Sequence, residues 1–196
     1  MTTINLKLFA QGAYIGSDEM SAEQSATVKV HGESEVLETL ETTLATDGAL
    51  SVNATTEGTV YLSVRTQNTL EVFTADTVEL SGGVVNYDFT DADSKAYGSN
   101  QVEVESGVFA LYSGDVDGDG VISQDDVQAV SDDSDNSVEN NAFTDLNSDG
   151  ITDLSDVMTV TNNVGKEVAV PTAAERIGLP NPRPKNRSEE HTSELQ

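Results

Sequence analysis

Two short stretches of this chain carry oxygen side chains in a pattern that suits a hard divalent cation. The first is Asp115-Val116-Asp117-Gly118-Asp119-Gly120, with Ser123 and Asp126 downstream. The second is Asp145-Leu146-Asn147-Ser148-Asp149-Gly150, with Asp153 and Asp156 downstream. In both, oxygen side chains fall at positions one, three and five of a twelve-residue loop, glycine follows at six, and a carboxylate closes at twelve. Calcium takes six to eight oxygens at ~2.3–2.6 Å, and alternate residues of a tightly wound loop aim theirs at one centre. The main-chain carbonyls of Val121 and Ile151 supply position seven. Ser123 and Asp153, at position nine, act directly or through water. The expected ligands are thus Asp115, Asp117, Asp119, Val121, Ser123 and Asp126 for one Ca²⁺. Asp145, Asn147, Asp149, Ile151, Asp153 and Asp156 serve a second. Mg²⁺ suits the set less well, because it keeps several of its waters. The bland reading of the same residues is a solvated acidic linker. Two matches in one register, thirty residues apart, argue against it.

Each loop needs an element to close it. Asp125-Asp126-Val127-Gln128-Ala129-Val130 and Ser155-Asp156-Val157-Met158-Thr159-Val160 read as helix starts, with acids where the helix dipole favours them. Val127, Val130, Val157, Met158 and Val160 are the expected apolar contact between the two halves. No helix pattern precedes either loop, and residues 131–144 read as a polar connector. Thr152 stands at position eight of the second loop, where an apolar residue is usual.

The first 113 residues read differently. Ile4, Leu6 and Leu8, then Val28 and Val30, then Val60, Leu62 and Val64 alternate with polar residues. So do Val85, Tyr87 and Phe89, and Val102 and Val104. A period of two gives each strand one buried and one wet face. Asp47-Gly48, Glu57-Gly58, Ser81-Gly82-Gly83 and Ser106-Gly107 mark turns between them. Short strands with regular turns predict an antiparallel β-sandwich. Only residues 35–43 compete as a helix. The fold expected is a mainly β sandwich over 1–113 plus a small α module with two calcium loops over 114–165. A flexible linker and tail follow over 166–196, with all four prolines inside it.

Composition narrows the function. The chain has 196 residues, 35 acids against 9 bases, a net charge of −26, and no Cys or Trp. Thiol enzymes, disulfide scaffolds, cysteine zinc sites and iron–sulfur centres are excluded without Cys. Nucleic-acid binding needs a basic surface that this chain lacks. No apolar run approaches a membrane span of ~20 residues. Thirteen of the acids lie between Asp115 and Asp156, with no Lys or Arg among them. His31, the one histidine before the tail, reads as an ordinary surface residue, and no Ser–His–Asp set stands out. The five tyrosines read as packing residues. Tyr14, Tyr61 and Tyr97 are the candidates for a sugar-stacking face.

The paired loop–helix motif, without leading helices and closed by Asp rather than Glu, resembles the type I dockerin. The resemblance implies that Asp115, Asp117, Asp119 and Asp126 are the side-chain ligands of loop one. Asp145, Asn147, Asp149 and Asp156 are those of loop two, with Asp153 auxiliary. It implies a protein partner of the cohesin kind, or another domain of a parent protein. Positions ten and eleven, which help contact a cohesin in dockerins, are Gln124-Asp125 and Leu154-Ser155 here, and the two halves differ. The stretches Val60–Phe73, Val85–Tyr97 and Val102–Gly120 resemble the C-terminal regions of large secreted bacterial surface proteins, where a β domain leads into dockerin-like repeats. That implies an extracellular or cell-surface location. MTTINLKLFAQG has no apolar core for a secretory signal, so the chain is expected to be the C-terminal part of a longer product. Residues 187–196, RSEEHTSELQ, resemble the translation of a sequencing adapter and are left out of the fold reading.

Three functions follow from these residues. The first is a non-catalytic, calcium-stabilised module for docking or anchoring. The second is a carbohydrate-binding accessory domain of a polysaccharide-degrading protein. The third is an acid/base hydrolase built on paired carboxylates. No nucleophile elbow, phosphate loop or metal–His motif supports the third, and the chain is read as not an enzyme.

Overall fold

The alternating residues of the front segment meet between two sheets in the computed structural model, which describes residues 1–172 and Glu175. Strand β1 (Thr2–Lys7) buries Thr2, Ile4 and Leu6 and leaves Thr3, Asn5 and Lys7 on its other face. A small hairpin follows, β2 (Tyr14–Gly16) with β3 (Glu19–Met20). Then come β4 (Gln24–His31), β5 (Val36–Leu44), β6 (Ala49–Ala54) and β7 (Gly58–Thr66). The short strands β8 (Val72–Phe73) and β9 (Val78–Leu80) precede β10 (Gly83–Asp88). A hairpin of β11 (Val102–Glu105) and β12 (Val108–Ala110) ends the series. One sheet has the order β10-β1-β6, the other β5-β4-β7-β8, with β9 also on β7. Ile4, Leu6, Leu50 and Val52 of the first sheet share a core with Val28, Val30, Leu62 and Val64 of the second.

Two expectations need correction here, and one open alternative is decided. The sandwich is not wholly antiparallel, because β1 and β10 run parallel, with Ile4 opposite Val85 and Leu6 opposite Tyr87. The chain crosses between sheets around Ser81–Gly83, so β10 arrives beside β1 without a hairpin. The stretch that competes as a helix lies in β5 from Val36 on, paired along β4 from Leu44 opposite Gln24 to Val36 opposite His31. Its three threonines are β-branched and suit a pleated surface. His31 is buried rather than a surface residue. Its ring packs 4.6 Å from Phe73, and Nε2 lies 2.7 Å from Ser63 Oγ. Ser63 donates to Glu71, which also pairs with Lys29 at 3.0 Å. A fully buried Ser63 hydroxyl is out of reach of a substrate, so this cluster knits β4, β7 and the chain leading to β8 together.

The helical part is α1 (Gln124–Asp135) and α2 (Leu154–Asn163). Each starts with a capping box. Ser123 and Asp153 accept from the helix, while Asp126 and Asp156 at N3 accept from the cap residue's own N–H. Helix α1 runs five residues into the expected connector. Gln128 Nε2 bonds Asp132 Oδ1 at 2.6 Å one turn on, and Asn136 Nδ2 caps the carbonyl of Asp132 at 2.6 Å. Ile122, Val130, Leu146 and Val160 form a second core, with Val127 and Val157 against it. Met158 is 57% exposed and takes no part in that contact.

This second core is shared with the sandwich through Leu70. Residues 68–70 run beside 112–114: Leu70 N–H donates to Tyr112 O at 2.9 Å and Gly114 N–H to Asn68 O at 2.7 Å. At the far end of α2, Asn163 Nδ2 donates to Gln11 Oε1 at 2.6 Å and to Ser113 O at 2.7 Å. The expected linker also begins with paired residues. Ile122 N–H donates to Lys166 O at 2.8 Å and Val168 N–H to Gly120 O at 2.9 Å, because loop one has an open main-chain edge there. The remainder of the linker beyond Thr172, Glu175 excepted, and the adapter-like tail lie outside the described residues. Among the described residues, no helix is long and apolar enough to cross a membrane.

Candidate metal centre

In loop one, carboxylate oxygens of Asp115, Asp117 and Asp126 come within 4.8 Å of one another. Asp115 is fully buried, and neither of its oxygens has a hydrogen-bond partner. A buried carboxylate without hydrogen bonds is costly unless a cation meets it, and the Arg65 guanidinium, 3.9 Å away, is the charged side chain that reaches it. Burial pushes the Asp115 carboxyl up. The Arg65 guanidinium and the nearby amides of Gly120 and Gly118 oppose this, and Asp126 adds to it. Asp126 is equally buried but well anchored. Its Oδ1 accepts from Val116 N at 2.9 Å and Asp117 N at 3.4 Å, and its Oδ2 from Ser123 N at 2.8 Å. Those bonds fold the loop's two ends onto one side chain.

Loop two repeats this frame. Asp156 Oδ1 accepts from Leu146 N at 2.8 Å and Asn147 N at 3.1 Å, and Oδ2 from Asp153 N at 2.9 Å. Burial pushes the Asp156 carboxyl up, and those three amides pull against it. Asp145 differs from Asp115. Its two oxygens accept from Asp149 N at 3.2 Å and Gly150 N at 2.9 Å. Asn147 is likewise engaged, its amide donating to Asp149 Oδ2 and Ser155 Oγ, both at 2.9 Å.

The other predicted ligands occupy matching places in the two loops. Asp117 and Asn147 accept from the N–H two residues on, as do Asp119 and Asp149. Asp119 is exposed and outside the three-carboxylate group of loop one. Ser123 and Asp153 are the two helix caps, each accepting from the N–H two residues later. Gly120 and Gly150 have φ of 91° and 100°, the left-handed turn that a side chain would strain. Val121 and Ile151 each form an antiparallel bridge, to Glu167 and Glu139. The flanking hydrogen bonds belong to residues 120 and 122, and to 150 and 152. The N–H and C=O of Val121 and Ile151 therefore turn the other way, into their loops. That is the orientation a position-seven carbonyl ligand needs.

Thr152, the polar residue at position eight, is buried within a hydrogen-bonded chain. Its hydroxyl is 3.0 Å from that of Thr144, which donates to Asp133 Oδ2 at 2.7 Å. Ile122 fills the same position in loop one with apolar bulk.

Two residues bearing on the site carry no sequence signal near the loops. Asn68 is buried in the β7–β8 connection, and its Nδ2 donates to Ala142 O at 3.2 Å and Asp145 O at 3.5 Å. Its own carbonyl accepts from Gly114. One sandwich residue thus touches the entry to both loops. Arg65, at the end of β7, reaches Asp115. Both lie about fifty residues or more from the loops they serve, beyond any local pattern.

The candidate sugar-stacking tyrosines are engaged in packing and hydrogen bonds. Tyr61 is buried, Tyr14 packs on Phe9 and donates to Glu105, and Tyr97 donates to Glu175.

No protein-family model matches this chain, and no curated protein matches it. Among solved structures, it is similar to a chain of a type II cohesin–X–dockerin complex from Acetivibrio cellulolyticus, a C-terminal interface mutant. The identity is 18% and the TM-score 0.55, over 85% of this chain and 97% of that one. The N-terminal interface mutant of that complex gives a TM-score of 0.49 at the same identity and coverage. The likeness to the first is one of fold: a mainly β chain with a small helical module.

Proposed function

We propose that this chain is a non-catalytic docking module of an exported protein, organised by two calcium ions. The observation that carries the reading is Asp115: fully buried, without a hydrogen bond, and grouped with Asp117 and Asp126. Asp119, Ser123 and the Val121 carbonyl complete the first set. Asp145, Asn147, Asp149, Ile151, Asp153 and Asp156 form the second. Bound calcium would neutralise the carboxylates and close each loop, so that binding energy becomes folding energy. Millimolar extracellular calcium suffices for modules with Kd of ~10⁻⁴–10⁻³ M.

Docking is supported by the surface of α2. Leu154 and Met158, one turn apart, are 67% and 57% exposed. The equivalents on α1 are Gln124 and Gln128, both polar. Only one half presents an apolar stripe, which favours a single orientation on the partner. A cohesin-like protein is the partner class, since the fold is similar to a chain from a cohesin–dockerin complex. Calorimetry should find two calcium sites, and EDTA should lower the thermal midpoint. Saturation at about 100-fold over Kd stabilises by ~2.7 kcal/mol per site. Absence of heat and of any shift in midpoint would sink the metal reading. Leu154→Asp and Met158→Asp should abolish partner capture in calcium, while Gln124→Asp and Gln128→Asp should not. Equal losses from both pairs would refute the one-sided surface.

A further inference from the structure

Arg65 leaves the end of β7 and reaches across to loop one. Its Nη1 lies 3.9 Å from Asp115 Oδ2 and 3.4 Å from Gly118 O. Nε and Nη2 are held by the carbonyls of Thr66 and Gln67 at 3.1 and 3.5 Å. The guanidinium is thus fixed beside the first ligand of the loop. Loop two has no such neighbour: among the described residues, no basic side chain pairs with any of its acids. Its sandwich contacts are neutral, from Ser21 Oγ to Asn147 O and from Gln24 Nε2 to Ser148 Oγ. Formal ligand charge does not otherwise separate the loops. Asp115, Asp117, Asp119 and Asp126 give four carboxylates, and Asp145, Asp149, Asp153 and Asp156 give four.

We propose that Arg65 sets the cation affinity of loop one below that of loop two, so that the loops fill in order, loop two first. The inference rests on the calcium reading above. A guanidinium cannot shed its charge, and a dication bound at Asp115 would have to share that carboxylate with it. Charges at this range interact strongly where one partner is buried. The sandwich would thereby impose an order on two loops whose sequences are near-repeats.

The test is a calcium titration of the ¹⁵N-labelled full chain, following the amides of Gly120 and Gly150 separately. In the parent, Gly150 should respond at lower calcium than Gly120. Arg65→Gln keeps a donor for Gly118 O and removes the charge. It should move the Gly120 midpoint to lower calcium by on the order of tenfold, and leave Gly150 within about twofold. Arg65→Lys keeps the charge and should leave the parent order intact. A Gly120 midpoint that is unchanged or weakened in Arg65→Gln would overturn the proposal and make Arg65 a strut for Gly118. So would a lysine variant that behaves like the glutamine one, or a parent in which Gly120 responds at lower calcium than Gly150. If neither amide responds to calcium in the parent, the calcium reading itself has failed, and the Arg65 proposal falls with it.

Discussion

Loops one and two share a backbone frame down to individual hydrogen bonds, yet they hold their first aspartate differently. Asp145 is turned onto the amides of Asp149 and Gly150. Asp115 has no hydrogen bond, with the Arg65 guanidinium and the amides of Gly118 and Gly120 near it. The frame is local and follows from the twelve-residue pattern. The state of the first ligand is set by what the sandwich places beside it. Near-repeats of sequence therefore need not be repeats in chemistry.

The largest expected effect tests the shared frame. Asp126→Ala and Asp156→Ala each remove the acceptor of three main-chain amides near a helix start. Each should cost about 3 kcal/mol or more, since orphaned buried donors lose their full desolvation penalty. Each should also reduce calcium stoichiometry from two to one. Urea melts in EDTA and calorimetry in calcium would read both. If one variant is silent, the equivalence of the frames is broken.

Asn68→Ala comes next, at about 1–3 kcal/mol, because it strips the donor from Ala142 O and Asp145 O. The Gly150 midpoint should weaken and the Gly120 midpoint should hold, because Gly114 bonds the main-chain carbonyl of residue 68, which alanine keeps. Equal weakening at both amides would mean that the side chain supports loop one as well.

Thr152→Val makes loop two resemble loop one at position eight. It removes one member of the Thr152–Thr144–Asp133 chain while adding an apolar methyl at a buried position. The two effects oppose, so the change should stay within about 1 kcal/mol. A larger loss in urea melts would mean that the polar chain, rather than the core, holds loop two.

The smallest effect lies far from both loops and serves as their control. Burial raises the Glu38 carboxyl, but hydrogen bonds from Thr55 and Thr56 outweigh it and hold the group at about 2, against an ordinary 4.5. A depressed carboxyl contributes stability that is fully present above its unfolded value. That contribution is lost as pH falls from about 4.5 towards about 2. Glu38→Gln should therefore flatten the acid limb of the melting profile in that window and leave both calcium midpoints unchanged. A calcium midpoint that moves would couple the β5 edge to the loops.

Much of this was legible along the chain. The strands around Ile4, Val28, Val60 and Val85 announce themselves by period two, and the helix starts at Asp125 and Ser155 by their acids. The loop frame is legible because an Asx-rich twelve-mer bonds to itself. Residues 35–43 and 131–135 were less legible, since strand pairing with β4 and a side-chain bond one turn away decide them. His31 misled for the same reason: only its neighbours Ser63 and Phe73, on other strands, make it a core residue.

The sequence by itself determined two acidic twelve-residue loops in one register, the helices that close them and a β segment ahead of them. These depend on contacts within about a dozen residues, where the chain has little choice. Tertiary structure alone decided that Asn68 spans both loop entries, that Leu70 completes the second core and that Arg65 stands beside Asp115. Those contacts join residues about fifty or more apart, and no spacing rule encodes where two sheets will deliver a side chain.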